Sequence, residues 1–175
     1  MQFAKGQVVV HPHHGPATVT GLAFREVGDQ RSRYLTLRIR RDDLEVSLPV
    51  DRAEEIGVRP VLDAAGVQQV FKILAGPGQA FDKVWSRRVK DFTERLRSSD
   101  IFTVVGLVRD ITRQNEEKKV SYGEMNLLNE ARALVIAELA VALGLDDEEI
   151  AELIEPAVLE GTQPTLSKRA LARAS

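Results

Sequence analysis

A chain of 175 residues, 43% of them hydrophobic, is long enough for one substantial core or for two small ones. Its formal net charge of -2 and pI near 6.0 exclude a uniformly basic coat, so any grip on nucleic acid must come from a local patch. The absence of cysteine excludes disulfide staples, thiolate zinc sites and thiol nucleophiles, and fits a reducing compartment.

The N-terminus, Met1-Gln2-Phe3-Ala4-Lys5-Gly6, shows no apolar region of signal-peptide length, and no stretch approaches the roughly 20 apolar residues of a membrane helix. A soluble, cytoplasmic protein without membrane contact is expected. The next residues read as strands. Gln7 to His11 and Pro16 to Leu22 flank a Pro/His/Gly turn, and Leu35, Leu37 and Ile39 alternate with Thr36, Arg38 and Arg40 as a half-buried strand does. Gly28-Asp29 marks a hairpin tip, Leu44 to Pro49 is a further strand, and Gly57 closes the region. Four or five short strands in this length predict a small, strongly bent antiparallel sheet or partial barrel.

From Asp63 the apolar period becomes helical. Asp63 caps a helix carrying Val67, Val70, Phe71 and Leu74, stopped at Gly76-Pro77-Gly78. A second helix over about Asp82–Arg97 carries Trp85, Val89, Phe92 and Leu96 on one stripe, and a third over about Ile101–Gln114 carries Val104, Val105, Val108 and Ile111. Ser121 and Glu124 form a capping box for a fourth helix, with Val120 placed to staple to Met125, that ends at Gly144. Asp146 to Glu149 opens a shorter fifth helix, predicted to break near Pro156. The period changes once, near Val58-Arg59-Pro60, and does not return. The expected class is therefore segregated α+β: a small antiparallel β module over 1–58, an all-α domain over 63–160 and a flexible tail over 161–175.

Few residues offer chemistry. His11, His13 and His14 are the only histidines, and no neighbouring carboxylate completes a ligand set, so a turn whose imidazoles satisfy backbone groups is preferred to a metal site. The acidic run Asp146, Asp147, Glu148, Glu149, Glu152 and Glu155 reads as a capped, solvated helix face. No phosphate-loop, acyl-transfer or zinc-hydrolase motif is present, and no cofactor, metal or catalytic residue is expected. The second helix stands apart. It carries Lys83, Arg87, Arg88, Lys90, Arg95 and Arg97 against only Asp91 and Glu94, beside the single tryptophan of the chain. Cations there can neutralise phosphates while the indole stacks on a base or wedges into a groove. Equally, Trp85 lies in register with Val89, Phe92 and Leu96, so periodicity alone also allows it as the first core residue of an amphipathic stripe.

At Trp85-Ser86-Arg87-Arg88, together with Val10-His11-Pro12-His13-His14-Gly15 and Gly57-Val58-Arg59, the sequence resembles the CarD family of bacterial transcription regulators, in continuous order from about Phe3 to Leu143. The resemblance implies that the β module is Tudor-like, as in transcription-repair coupling factors, and docks on the β subunit of RNA polymerase. Arg25 and the strand segment Val46, Ser47 and Leu48 are the implied docking residues. It further implies that the helical domain reaches promoter DNA, with Trp85 as a minor-groove wedge at the upstream edge of the melted region. Arg87 and Lys90, with Lys83 and Arg88 beside them, are implied to contact the backbone. Three departures are visible: Ser47 where the family often has a basic residue, Val89 where an aromatic often follows W-S-R-R, and a C-terminal extension over 144–175 that includes Lys168-Arg169. The expected function is a monomeric, non-enzymatic regulator, associated with the nucleoid through polymerase, that stabilises the open promoter complex with little sequence readout. The alternative is a protein-interaction adaptor in which Trp85 is core and the basic face binds an acidic partner. An enzyme using His13 or His14 as a base ranks third.

Overall fold

Alternating apolar residues build the first unit. Val8–His11 (β1), Gly15–Val27 (β2), Gln30–Ile39 (β3), Glu45–Pro49 (β4) and Arg59–Pro60 (β5) form one antiparallel sheet in the order β4-β3-β2-β1-β5. The computed structural model that shows this describes residues 2–174, so Met1 and Ser175, the ends of the expected module and tail, lie outside the described residues. Contacts divide the chain into two units, residues 1–61 and 62–175.

Leu35, Leu37 and Ile39 of β3 are at most 1% exposed, and they join Val9, Ala17, Val19 and Leu48 in the core. The register between β2 and β3 shifts between Val19 and Gly21, so that Leu22 pairs with Leu35 after Val19 has paired with Leu37. That irregularity inverts the alternation along β2 and turns Leu22 onto the core side. It therefore leaves Arg25 on the outer face, where simple counting from Val19 would have turned it inward.

β2 and β3 run further than the sequence indicated, to the Gly28-Asp29 turn, where Gly28 takes φ 62. After β4 the chain does not pass directly to the junction. A 3-10 turn at Val50–Arg52 and a short helix, Ala53–Ile56 (α1), bring Ala53 and Val58 under the sheet. Gly57 caps α1 at φ 100, a conformation that favours glycine, and its N–H is shared between the carbonyls of Ala53 and Glu54.

Among the described residues the second unit holds six helices: Ala64–Ala75 (α2), Trp85–Leu96 (α3), Ile101–Glu117 (α4), Tyr122–Leu143 (α5), Asp147–Glu160 (α6) and Lys168–Arg173 (α7). The caps read from the sequence are made. Asp63 Oδ1 accepts the Gly66 N–H at 2.7 Å, and both Ser121/Glu124 and Asp146/Glu149 close reciprocal capping boxes. Central α4 packs against α2, α3, α5 and α6, burying Val104, Val105, Leu107, Val108 and Ile111. It also buries charge. Arg109 and Arg113 donate to the carbonyls of Ile73, Leu74 and Gly76 at the C-terminus of α2, the negative end of that helix.

Two expectations about the C-terminal part are corrected. α6 does not break at Pro156 but continues to Glu160, because Ala157 and Val158 remain buried beyond the proline and Gly161 ends the helix at φ 68. Residues 161–175, expected as a flexible tail, contain α7. Ser167 caps it, Ala170 and Ala174 are buried against the bundle, and Arg173 Nη1 donates to the Gly144 carbonyl at 2.8 Å.

Candidate functional site

The apolar stripe of α3 leaves the core at its N-terminal end. Phe92 is fully buried with its ring edge-on to Phe81 at 5.3 Å, Leu96 is buried, Val89 is half-buried, and Trp85 is 54% exposed. Of the two readings open on periodicity, the surface one describes Trp85. Asp82 Oδ1 accepts the Val84 N–H at 2.8 Å and sets the entry into the helix. The exposed ring is nevertheless held at one edge, since its Nε1–H donates to Ser121 Oγ at 3.2 Å.

Ser121 is the N-cap of α5, and the same hydroxyl accepts the Glu124 N–H at 3.2 Å while Glu124 Oε2 accepts the Ser121 N–H at 2.9 Å. The other carboxylate oxygen, Oε1, accepts from Arg88 Nε at 2.5 Å, and Arg88 Nη1 reaches the Asp82 carbonyl at 3.1 Å. Trp85 and Arg88, three residues apart on one face of α3, thus both engage the first turn of α5. Burial by itself would raise the Glu124 pKa. The hydrogen bonds from Arg88 and Ser121, with the Arg88 charge, outweigh it and hold the carboxyl below its ordinary 4.5.

Arg88, expected as a nucleic-acid contact, is engaged in an internal ion pair. Its side chain is 14% exposed and paired with a carboxylate that is 2% exposed, so its guanidinium is committed within the fold. Arg95 is turned inward as well, to the fully buried Asp110 at 2.9 Å. The exposed cations are Lys83, Arg87, Lys90 and Arg97. Arg87 and Lys90 have only long contacts, each 3.9 Å, to Asp82 and Glu94, and such exposed pairs hold little energy. The patch is thinner than the six cations counted on the sequence. It gains on another side: the connection into α5 brings exposed Lys118 and Lys119, and beside Ser121 stands Tyr122, 84% exposed. Val84, Trp85 and Tyr122 thus supply exposed apolar surface among cations. The capping box marks Ser121 on the sequence, but nothing local in the sequence pairs it with a residue 36 positions earlier.

In the first unit, Arg25 crosses the outer face of the sheet. Its Nη2 donates to Ser47 Oγ on β4 at 3.3 Å and its guanidinium lies 5.2 Å from the centre of the Tyr34 ring, while Thr36 Oγ1 and Ser47 Oγ share a hydrogen at 3.3 Å. β4 is an edge strand, so among the described residues no further strand lies beside its outer backbone groups. Leu48 is corrected as a docking side chain: it is 4% exposed and points into the core, and Val46 is half-buried against the same core. Their backbones stay on the edge; Arg25 and Ser47 carry the exposed chemistry.

The histidines cluster at a turn with their rings tilted to one another. His11 is buried, its ring centre 4.7 Å from that of His14 and 6.0 Å from that of His13, and its Nδ1 accepts the His13 N–H at 3.3 Å. Burial first, and then the neighbouring His14 and His13, lower its pKa to about 4. Among the described residues no cluster of three or more His, Asp or Glu could hold a metal ion, and no helix is long and apolar enough to cross a membrane.

Comparison with known proteins matches residues 3–62 to the CarD-like/TRCF RID domain and residues 69–155 to the CarD C-terminal domain. The chain is 24% identical over 148 residues, 85% of its length and 97% of the other's, to YdeB of Bacillus subtilis (strain 168), a candidate transcription factor by name. It is also similar to the solution NMR structure of the 72-residue N-terminal domain of Myxococcus xanthus CarD, with 34% identity, 34% of this chain and 79% of that one covered, and a TM-score of 0.30.

Proposed function

The chain belongs to the CarD family of transcription regulators, with both family domains present in order, and on that premise we propose that it binds RNA polymerase through its β unit and promoter DNA through the first turn of α3. Docking uses Arg25 and the edge strand β4 against the polymerase β subunit, a mode in which main-chain groups add affinity and side chains add specificity. Tethering raises the effective concentration of the helical unit at one place on the promoter. There Trp85 enters the minor groove at the upstream edge of the melted region, and Lys83, Arg87 and Lys90 meet phosphates. No bond is made or broken. An indole that fits a distorted groove better than closed duplex shifts the equilibrium toward the open complex by its differential affinity, about 1.4 kcal/mol for each tenfold.

The observation that carries this reading is the half-exposed Trp85 at a helix N-terminus flanked by exposed cations. Its single-tryptophan background makes the test direct. Adding forked promoter DNA to the isolated chain, where Trp85 is the only tryptophan, is expected to change its emission, with affinity that falls as salt rises. An unchanged spectrum at saturating DNA would contradict DNA contact and favour a role limited to protein interaction.

A further inference from the structure

We infer that the capping box of α5 is the positioning device for the indole, Ser121 being a positioning residue that acts through Trp85; this rests on the proposed DNA contact of that ring. An exposed tryptophan at the first position of a helix keeps rotamer freedom that a wedge must lose on insertion. Here the freedom is already reduced. Ser121 Oγ takes the indole N–H at 3.2 Å, and that hydroxyl is itself fixed by accepting the Glu124 N–H at 3.2 Å, with the Ser121 backbone held by Glu124 Oε2 at 2.9 Å. The acceptor cannot swing away without opening the first turn of α5. A second clamp lies one helical turn along α3, where Arg88 grips the same glutamate from the same face. Two side chains of the α3 first turn are thereby referenced to one buried carboxylate, Glu124, which is 1% exposed. The ring's polar edge is occupied by the protein, and the rest of the half-exposed indole is the part left to meet a partner.

This arrangement separates the cap from the tether. Glycine at an N-cap is tolerated nearly as well as serine, and Ser121 takes φ -65 and ψ 162, which glycine adopts as readily. Ser121→Gly therefore removes the indole acceptor and leaves the backbone half of the box; Ser121→Thr restores a hydroxyl. The experiment uses the full chain with purified RNA polymerase and a promoter fragment, reading time-resolved Trp85 anisotropy in the free protein and open-complex lifetime in the assembly. In Ser121→Gly, fast depolarisation of the indole is expected to grow and the lifetime to shorten about two- to tenfold, the worth of one neutral hydrogen bond. Ser121→Thr is expected to restore both, and in a Trp85→Ala background Ser121→Gly is expected to have no further effect on lifetime. Unchanged anisotropy in Ser121→Gly, or a lifetime loss that persists without Trp85, would overturn the inference. Should Trp85→Ala by itself leave the lifetime unaltered, the DNA-contact reading fails, while the anisotropy comparison still decides whether Ser121 positions the ring.

Discussion

The indole of Trp85 and the hydroxyl of Ser121, 36 residues apart in sequence, meet in a 3.2 Å hydrogen bond that fixes one edge of a ring whose surface is otherwise half in solvent. An exposed aromatic held in this way differs from one left over at a helix end. Its polar atom is satisfied within the fold, and the exposed cations Lys83, Arg87 and Lys90 lie within five residues of it along the chain.

The stripe of α3 predicts unequal costs of truncation. Phe92→Ala opens a cavity in the core and is expected to lower stability by about 3–5 kcal/mol, whereas Trp85→Ala is expected to lose about 1–2 kcal/mol because half of the ring is already hydrated. Chemical denaturation of the two variants checks this. Equal losses would mean that the indole is core.

The Arg88–Glu124 pair predicts a larger loss than its place near an exposed site suggests. Glu124→Ala leaves the Arg88 guanidinium, 14% exposed, without its anion, and Arg88→Ala leaves a buried carboxylate without its cation; each is expected to lose about 3 kcal/mol or more. The pH dependence has a definite sign. Because the folded carboxyl lies below 4.5, its stabilisation is complete above that pH and is lost as pH falls through the lower folded value. Glu124→Gln is expected to flatten the acid limb of the stability curve.

His11 titrates in a separate window. With its pKa lowered to about 4 from an ordinary 6.5, the unfolded chain binds the proton more tightly, so stability falls as pH drops from 6.5 to about 4 and levels off below. Full development of that shift corresponds to about 3 kcal/mol. His11→Gln is expected to remove the slope over that range in a pH series of thermal melts, and a slope that survives would place its origin elsewhere.

The outer face and the core face of β4 are expected to respond differently. Arg25→Glu leaves the core untouched and is expected to weaken binding to the polymerase β subunit at least tenfold, about 1.4 kcal/mol, with the melting temperature held. Leu48→Ala is expected to lose about 2–4 kcal/mol of stability through the cavity it creates. Polymerase binding by the folded Leu48→Ala protein is expected to stay near wild type, and a selective binding loss there would restore Leu48 to the docking surface.

Much of this fold is legible in the residues, and the gaps have physical causes. Alternation in Leu35, Leu37 and Ile39 and the caps at Asp63, Ser121 and Asp146 are local signals, and the strands and helices stand where they indicate. The β2 irregularity is not local: a register shift at Val19–Gly21 sets the face of Arg25, and only the pairing with β3 reveals it. Pro156 shows tertiary burial overriding a local breaker, and α7 shows a small alanine-based contact too weak in pattern to read. At the site, the exposed cluster around Trp85 is visible as composition, yet Arg88 and Arg95 look the same as Arg87 until Glu124 and Asp110 are found opposite them. Charge counts on one helix overestimate a patch whenever its partners lie on another.

The most direct measurement is the lifetime of the open promoter complex formed by purified RNA polymerase with wild-type protein, Trp85→Ala and Arg25→Glu. The expected result is a lifetime extended by the wild type and shortened in both variants, with Arg25→Glu recovering at high protein concentration and Trp85→Ala failing to recover. Lifetimes indistinguishable from wild type in both variants would contradict a tethered protein that holds melted DNA through an exposed indole.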